Sequence, residues 1–240
     1  MIRTIIMAIL LLSCTATNAY ASMFELEIVP ISKIKEDPTV YDSTMAYRKI
    51  SVVGNFTELS KQSATITSDN ESLIVETSKI ELFEGFNISE QALITGEFIY
   101  DPLRENTFIP NYVLRYPIVD MGLVNLSDII EDSPGHNGKY MTVTGNLSSI
   151  EMTMGRYTAV IIDDEGNSLK IFYYGSTELA PGDDVKVIAF TTGNILHSET
   201  MGLNKSPLSI STLVPGFSSV ISLIAILSIA LLLKSKQRND

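Results

Sequence analysis

The middle of this chain repeats itself. Gly54 and Gly145 lie 91 residues apart, each within a V-x-G-N run, and the patterns around them correspond. A repeat of that length is long enough for a unit that buries its own core. The sequence therefore predicts two similar domains in tandem, at residues 22–116 and 117–213.

Both copies are predicted to be mostly β, with short helical turns. Apolar and polar residues alternate along the predicted strands, with turn residues between them, and no stretch has the periodicity of a long amphipathic helix. Each copy has a short helical turn, then a strand, a hairpin and a further strand. These are residues 31–36, 50–56, 64–76 and 92–99 in the first copy, and 126–131, 141–147, 157–174 and 184–190 in the second.

The first 21 residues read as a secretory signal peptide. Arg3 supplies a positive charge, residues 5–12 form an apolar run, and Ala19 and Ala21 form a small-x-small cleavage pattern. This run of 8 residues is far shorter than the roughly 20 needed to span a bilayer, so cleavage after Ala21 is favoured over an N-terminal anchor. A lipobox-like sequence ending at Cys14 leaves lipid modification of that cysteine as an alternative.

The C-terminus carries a second apolar segment. Residues 217–233 contain no charged residue, Gly or Pro, and residues 234–240 form a short basic tail. This length is at the lower limit for a membrane helix, and basic residues favour the cytoplasmic side. We therefore expect segment 214–233 to be a transmembrane helix, with the tail in the cytoplasm and the two domains on the extracellular face.

The residues that open this segment are Pro215, Gly216 and Phe217. With the apolar helix and the basic tail they resemble the archaeal PGF-CTERM sorting signal. That resemblance implies an archaeal source, processing by an archaeosortase, and replacement of the helix by a membrane lipid. The stretch before the motif, residues 206–214, is shorter than the Thr-rich spacer of that family. The alternative is an ordinary single-pass anchor, in which Pro and Gly only start the helix.

The second copy resembles an OB-fold, a small five-stranded β-barrel. The resemblance rests on V-T-G-N at 143–146, a hairpin over 161–172, and P-G-D-D-V-K-V at 181–187. A glycine in the first strand lets a barrel strand bend, and Pro-Gly-Asp turns the chain into the fourth strand. The first copy matches less well, because residues 87–90 replace that turn. The resemblance implies two tandem OB-fold-like barrels in an all-β protein, with another small barrel or sandwich as the alternative.

The charge of the chain disfavours nucleic acid as a partner. Residues 22–214 contain 13 basic and 27 acidic residues, which gives a net charge of −14. Affinity for nucleic acid depends mainly on Lys and Arg side chains that neutralise phosphates, and an acidic surface repels anionic polymers. Binding of single-stranded nucleic acid is therefore kept only as an alternative.

The best candidate for ligand contact is a row of Lys170, Phe172 and Tyr174 in the second hairpin. If Leu169 and Ile171 point into the barrel, strand alternation points this row outward. A cation beside two aromatic rings is the kind of surface on which OB-folds stack bases or sugar rings. We expect a glycan, a small ligand or a protein partner here; packing of the same aromatic residues against the other domain is the alternative.

The sequence contains no enzymatic signature. Nucleophile-elbow, zincin and Walker motifs are missing, and His136 and His197 lie in loop-like contexts without an identifiable orienting partner. The acidic cluster at 163–167 offers oxygen ligands of the kind that Ca²⁺ uses, but it lacks the rest of an EF-hand loop and fits a solvated turn better. We therefore predict no catalytic residue, no metal site and no cofactor.

Six Asn-x-Ser/Thr sequons make the exported region a candidate for N-glycosylation. Two of them end predicted strands, so their modification requires side chains that point outward. The six are Asn55, Asn70, Asn87, Asn125, Asn146 and Asn204.

These observations predict a membrane-anchored, cell-surface binding or interaction protein without catalytic activity. The alternative from a different class is a structural component of the cell envelope, in which acidic, glycosylated domains act mainly as spacers.

Overall fold

Two closed β-barrels of five strands each make up the part of the chain that the computed structural model describes, residues 27–46 and 48–204. Both belong to one compact unit that ends at Gly202. The first barrel consists of β1 (Ile50–Leu59), β2 (Ser63–Ser68), β3 (Glu71–Glu76), β4 (Gln91–Ile99) and β5 (Thr107–Arg115). The second consists of β7 (Tyr140–Thr153), β8 (Arg156–Ile162), β9 (Ser168–Tyr173), β10 (Asp184–Thr192) and β11 (Ile195–Leu203), with β6 (Asp120–Leu123) added beside β7.

The helices are short and precede or interrupt the barrels. Before β1 come α1 (Ile31–Glu36), α2 (Pro38–Tyr41) and α3 (Ser43–Ala46), and a 3₁₀ helix (Ile80–Leu82) lies between β3 and β4. Before β7 come α4 (Leu126–Glu131) and α5 (Ser133–His136). The helical turns predicted at 31–36 and 126–131 are confirmed as α1 and α4.

The two barrels have the same strand order. In the first, the order is β1-β2-β3-β5-β4, with β4 paired back to β1. In the second, it is β7-β8-β9-β11-β10, with β10 paired back to β7. The third and fifth strands are parallel in both barrels, while the first pairs antiparallel with the second and fourth. This pairing is that of an OB-fold, and it confirms the predicted repeat of two all-β barrels.

Alternation along the strands fills each barrel with apolar side chains. Phe56, Phe98 and Phe108 occupy the first core, and Met141 and Val143 belong to the second. The helices add pairs of residues three apart, which lie on one helical face: Ile31 and Ile34 in α1, Leu126 and Ile129 in α4. Full burial of such side chains stabilises the fold by about 1.5–3 kcal/mol each, so α1 and α4 are integral parts of their barrels.

The glycine of the repeated V-x-G-N run is required by a close approach of strands. A Cβ atom on Gly145 would lie 2.7 Å from the carbonyl oxygen of Ile162 on the neighbouring strand β8. Two residues later the pairing of β7 with β8 shifts register, between Leu147 and Ser149. The first barrel has the same irregularity between Phe56 and Glu58 of β1. Both first strands therefore bend at equivalent positions.

The turn before the fourth strand is built the same way in both barrels, although its sequence differs. Gly182 has φ 95° and its N–H donates to the carbonyl of Leu147 over 2.7 Å. Ser89 has φ 71° and its N–H donates to the carbonyl of Phe56 over 2.6 Å. The first copy thus forms the same barrel without the Pro-Gly-Asp sequence, because Ser89 adopts the left-handed backbone that glycine adopts in the second.

We expect Ser89→Gly to stabilise the protein by about 0.5–1 kcal/mol, because a glycine adopts positive φ without the steric cost that a side chain imposes. Urea unfolding of protein made without glycosylation measures the change, since the substitution also removes the sequon at Asn87. The reciprocal control, Gly182→Ser, should lose about 1 kcal/mol. Lower stability in the glycine variant would contradict the equivalence of the two turns.

Several predicted features lie outside the described residues. They are the signal peptide with its cleavage at Ala21, the segment 214–233 with Pro215, Gly216 and Phe217, and the basic tail 234–240. Within residues 27–46 and 48–204, no helix combines the length and apolar character needed to cross a membrane.

Candidate functional site at the barrel junction

A row of aromatic rings runs across the outer face of the second barrel. Because Ile171, Ala189 and Leu196 point into the core, their strand neighbours point outward. The rings of Tyr140 and Phe190 are 5.6 Å apart, Phe190 stacks on His197 at 5.1 Å, and His197 meets Phe172 at 5.7 Å. We call these four residues, Tyr140, Phe190, His197 and Phe172, the aromatic row.

The first barrel covers the middle of the aromatic row. Tyr112 of β5 contacts the rings of Phe190 and His197 edge-on, at 5.3 and 5.0 Å between centroids. Phe190 is fully buried and His197 is only 9% exposed. This part of the row is therefore an interface between the barrels. The packing alternative from the sequence concerned Phe172 and Tyr174, and of these two Tyr174 interacts with Tyr112 of the first barrel.

The end of the row at Phe172 is more open and carries cations. The guanidinium of Arg156, at the start of β8, lies 3.8 Å from the ring centroid of Phe172. Tyr174 is 36% exposed just beyond β9, and Lys170 is exposed two residues before Phe172. Lys49, immediately before β1, brings a further charge from the first barrel close to Tyr174. We call Lys49, Arg156, Lys170, Phe172 and Tyr174 the junction site.

Tyr174 links the two barrels at this site. Burial raises the pKa of Tyr112, and a hydrogen bond to Tyr174 raises it further. Burial also acts to raise the pKa of Tyr174, but hydrogen bonds from Tyr112 and Arg156, with the charges of Arg156 and Lys49, leave it lowered. Tyr174 thus interacts with Tyr112 of the first barrel and with Arg156 of the second.

The junction site is accordingly rich in hydrogen-bond donors. Arg156, Lys49 and Lys170 can only donate hydrogen bonds, and the Tyr174 hydroxyl adds a group that can donate one. Such a set suits a ligand rich in acceptor oxygens. Phe172 lies between Arg156 and His197, so Tyr174 is the ring of the predicted row that is open to stacking.

The aromatic row keeps His197 neutral. Burial, followed by the charge of Arg156, lowers the pKa of His197 to about 4. Its Nδ1 atom is buried without a hydrogen-bond partner among the described residues. At the other end of the row, the Tyr140 hydroxyl donates to Glu199 over 2.7 Å. His197 belongs to β11, so the loop-like context predicted for it is wrong.

A polar contact between the barrels fixes the geometry of the junction. Asn137, which follows α5 and is 1% exposed, donates from Nδ2 to the carbonyls of Glu81 and Glu84, both over 2.9 Å. Its Oδ1 accepts from the N–H of Gly193 over 3.3 Å. Arg115 at the end of β5 donates from Nε to the Asn137 carbonyl over 3.1 Å. We call Arg115 and Asn137 with these carbonyls the polar latch.

The remaining candidates from the sequence have structural surroundings. His136 is 9% exposed, and its Nδ1 lies 2.8 Å from the carbonyl oxygen of Asp132. Asp163 accepts from the N–H groups of Glu165 and Asn167 at 3.0 and 2.8 Å, which makes the acidic cluster a self-bonded turn. Within the described part of the chain, no cluster of three or more His, Cys, Asp or Glu residues could hold a metal ion.

The asparagines of all six sequons are exposed. The two that end predicted strands, Asn55 and Asn146, occupy equivalent positions after the repeated glycines and point outward. Asn70 lies in the β2–β3 turn with φ 65°. The six asparagine side chains are therefore accessible enough to be modified. Glycosylation of these sites stays a prediction.

Two junction-site residues were not found from the sequence. Arg156 stands two positions before Thr158, which pairs with Phe172, so alternation along β8 was the available signal. Lys49 belongs to the other barrel, and no sequence pattern indicates its proximity. The same holds for the side chains of Tyr112 and Asn137, whose partners in the contacts described are 53 or more residues away.

No protein-family profile and no curated protein matches this chain. Among solved structures, the telomere capping protein Ten1 of Saccharomyces pombe is 11% identical over 38% of this chain and 82% of its own, with a TM-score of 0.31. The hypothetical protein YgiW of E. coli is 15% identical over 37% and 89%, with a TM-score of 0.30. The p202 HIN2 domain is 12% identical over 66% and 93%, with a TM-score of 0.26. The OB-like architecture rests on strand order and pairing rather than on these similarities.

Proposed function

We propose that this protein is an exported, membrane-anchored binding protein whose two barrels together bind an acceptor-rich ligand, such as a glycan, at the junction site. The observation that carries the proposal is Arg156, whose guanidinium lies 3.8 Å from the ring centroid of Phe172, beside Tyr174 and the charge of Lys49 from the first barrel. Both barrels therefore build one donor-rich surface, and ligand sites occur preferentially at such domain junctions.

The local charge supports this assignment. The chain carries a formal net charge of −11, yet Lys49 and Arg156 both act on Tyr174 at the junction, and Lys170 lies further along β9, opposite Val160. Ion pairs among the described residues join Lys35 to Glu71, Arg48 to Glu27, Arg104 to Asp101 and Arg115 to Glu90. Arg156 takes part in none of these four pairs, and it contacts Phe172 and Tyr174 instead. A cation held in this way is suited to a ligand oxygen.

Binding is tested with the intact chain in detergent, on an array of neutral and acidic glycans. We expect Arg156→Gln to weaken binding at least about tenfold, because a hydrogen bond to a charged group contributes about 1.5–3 kcal/mol. Tyr174→Phe keeps the ring and removes the hydroxyl group, and it should also weaken binding. The control is Lys186→Gln, which removes one exposed charge from β10 of the same barrel.

The glycan array, together with a DNA-binding assay, distinguishes between the glycan-binding, spacer and nucleic-acid-binding functions. Saturable glycan binding that all three variants share equally would refute the junction site. No glycan binding at all favours a spacer in the cell envelope. Tight binding of single-stranded DNA at low salt that falls steeply as salt rises would favour nucleic acid, to which the aromatic and basic residues of the junction site are also suited.

Export and anchoring are tested by the mass of the native protein. We expect a chain that begins at Ser22, because the signal is removed after Ala21. The six sequons predict added glycan mass, and sorting predicts loss of the segment from Pro215 onward with gain of a lipid. A full-length, unmodified chain in the cytosol, inaccessible to protease added to intact cells, would refute this part of the proposal.

A further inference from the structure

The β7–β8 hairpin of the second barrel ends in two exposed methionines. Met154 is fully exposed, and Met152 is 67% exposed. Met152 lies directly opposite Tyr157 of β8, so these two side chains share one face of the hairpin. We call Met152 and Met154 the methionine tip. Two large apolar side chains together at one turn form a surface whose contact with water is unfavourable.

The turn itself does not require a methionine. Met154 and Gly155 form a two-residue turn between β7 and β8, with φ 52° and 79°. Such a turn favours Asn or Gly, because most other side chains are strained at positive φ. The β2–β3 turn of the first barrel follows this preference, with Asp69 and Asn70 at φ 52° and 65°. Met154 is therefore unfavourable for both the backbone and its hydration, and a contact outside the barrel would offset these costs.

The equivalent turn of the first barrel is polar and shorter. The turn between β1 and β2 contains Ser60, Lys61 and Gln62, all of them exposed. Strand β7 also continues further past its repeated glycine than β1 does, to Thr153 against Leu59. Since the two barrels share strand order and strand bends, the long apolar hairpin distinguishes the second barrel from the first.

The methionine tip lies at the end of the barrel from which the chain leaves toward its apolar C-terminal segment. Strand β11 runs parallel to β9 and places Ser198 beside Tyr173, which pairs in turn with Tyr157 of β8. From this level β11 continues to Leu203 in the direction in which β7 and β8 continue to the tip. Residues 204–216 then lead to the apolar segment, and a connection of that length spans at most about 45 Å.

We propose that the methionine tip inserts shallowly into the lipid bilayer that anchors the chain. The inference rests on the membrane anchor of the proposed function, and it does not depend on the ligand of the junction site. The anchor keeps the second barrel close to the bilayer, so the tip meets lipid at a high effective concentration. A weak contact is then sufficient, and full burial of one methionine side chain favours the buried state at least about tenfold.

The residues behind the tip are suited to the lipid headgroup layer. Tyr157 and Arg156 follow the turn in β8, and tyrosine rings and arginine side chains are favoured at the boundary between membrane and water. Carboxylates also stand at this end, with Glu151 on the other face of the hairpin and Asp184 at the start of β10. Because anionic lipid repels carboxylates, we expect the contact to be stronger on neutral lipid.

The test is methyl NMR of the intact chain, inserted by its C-terminal segment into nanodiscs of phosphatidylcholine. The protein is made without glycosylation, because the sequons at Asn146 and Asn204 lie at this end of the barrel. The native methionine methyl groups are the probes. A nitroxide on the lipid acyl chains should broaden Met152 and Met154 and leave Met121, which is 39% exposed on β6, unchanged. A water-soluble gadolinium chelate should broaden Met121 and spare the tip.

A double variant at the exposed tip avoids damage to the core. Ile150, two positions before Met152 on β7, serves as the probe, and the lipid nitroxide should broaden its methyl group in the unsubstituted protein. Met152→Ser combined with Met154→Ser should lower the inserted population at least about tenfold and remove this broadening. The control Met121→Ser, which removes an exposed methionine from another part of the barrel, should leave it unchanged.

Four results would overturn the proposal. A chain that does not stay with the nanodiscs would refute the anchor and this inference together, whereas a chain that stays while the chelate broadens the tip would refute this inference alone. A tip shielded from both agents would mean that it packs against protein, such as a second copy of the chain. Contact that needs anionic lipid and is lost at high salt would mean that cations such as Arg156 make it.

Discussion

Replacing Asn137 with alanine is expected to cost about 3 kcal/mol of unfolding free energy, which is the largest loss that we predict for a polar substitution in this protein. The side chain is 1% exposed and makes two hydrogen bonds to the first barrel and a third to Gly193 of its own barrel. Its removal leaves the carbonyls of Glu81 and Glu84 and the N–H of Gly193 without that partner, in a place that water reaches poorly. A buried polar group without a hydrogen-bond partner lowers the free energy of unfolding by more than the hydrogen bond itself contributes.

The measurement is urea unfolding followed by far-UV circular dichroism and tyrosine fluorescence. The control is Asn194→Ala, which removes an exposed amide from the β10–β11 turn next to Gly193 and should change stability by less than about 0.5 kcal/mol. Because the polar latch joins the barrels, the Asn137 variant should also unfold in two separate transitions. A loss below about 1 kcal/mol with one cooperative transition would show that the latch does not couple the barrels.

We expect the free energy of unfolding to decrease at acidic pH because His197 becomes protonated. Its pKa is about 4 in the folded protein, against about 6.5 in an unfolded chain. Between these values the unfolded chain binds one more proton, so stability is complete above pH 6.5 and falls as the pH falls toward 4. The difference corresponds to roughly 3 kcal/mol, of which about 2 kcal/mol is already lost at pH 5.

The variant His197→Phe isolates this contribution. Phenylalanine keeps a ring between Phe190 and Tyr112 and cannot be protonated, so the stability difference between pH 7 and pH 5 should shrink by about 2 kcal/mol. His197→Leu should show the same flattening even if its packing lowers stability at both pH values. An unchanged pH dependence in both variants would mean that protonation of His197 does not cost the fold its stability.

Much of the fold could be predicted because local pattern and tertiary role agree. The repeated glycines mark real strand bends, the two predicted hairpins are β2–β3 and β8–β9, and alternation placed Leu169 and Ile171 inside with Lys170 and Phe172 outside. Such features depend on neighbours within one or two strands. They are therefore visible in the order of residues alone.

The fifth strand of each barrel was harder to see. Strand β5 contains Pro110, which argues against a strand because it removes a donor. The structure accommodates it at a register shift, where Gly96 of β4 faces Pro110. Strand β11 carries Ser198, Glu199 and Thr200 in succession, so its alternation is weak, yet Leu196 and Ser198 are buried. These two segments form strands because they close their barrels, and closure depends on all the strands of a domain.

The site was predicted only in part for a similar reason. Phe172 and Tyr174 were placed correctly on the outer face, and alternation along β8 was the one signal for Arg156 beside Phe172, but nothing in the sequence indicates that Tyr112 covers His197. The contact of Tyr112 with His197 depends on how one barrel packs against the other, which residues far apart in the chain determine together.

The burial of Phe190 and His197 beneath Tyr112 also bears on how such a protein can change over evolutionary time. A gene rearrangement that duplicated the second barrel alone would expose the rings of Phe190 and His197 to water. The product would then carry an exposed apolar patch that favours aggregation or binding to other proteins. A rearrangement that moved the two barrels together would keep that face covered. The smallest unit that can be transferred to another protein without exposing this interface is therefore the two barrels together, even though each barrel is complete by itself.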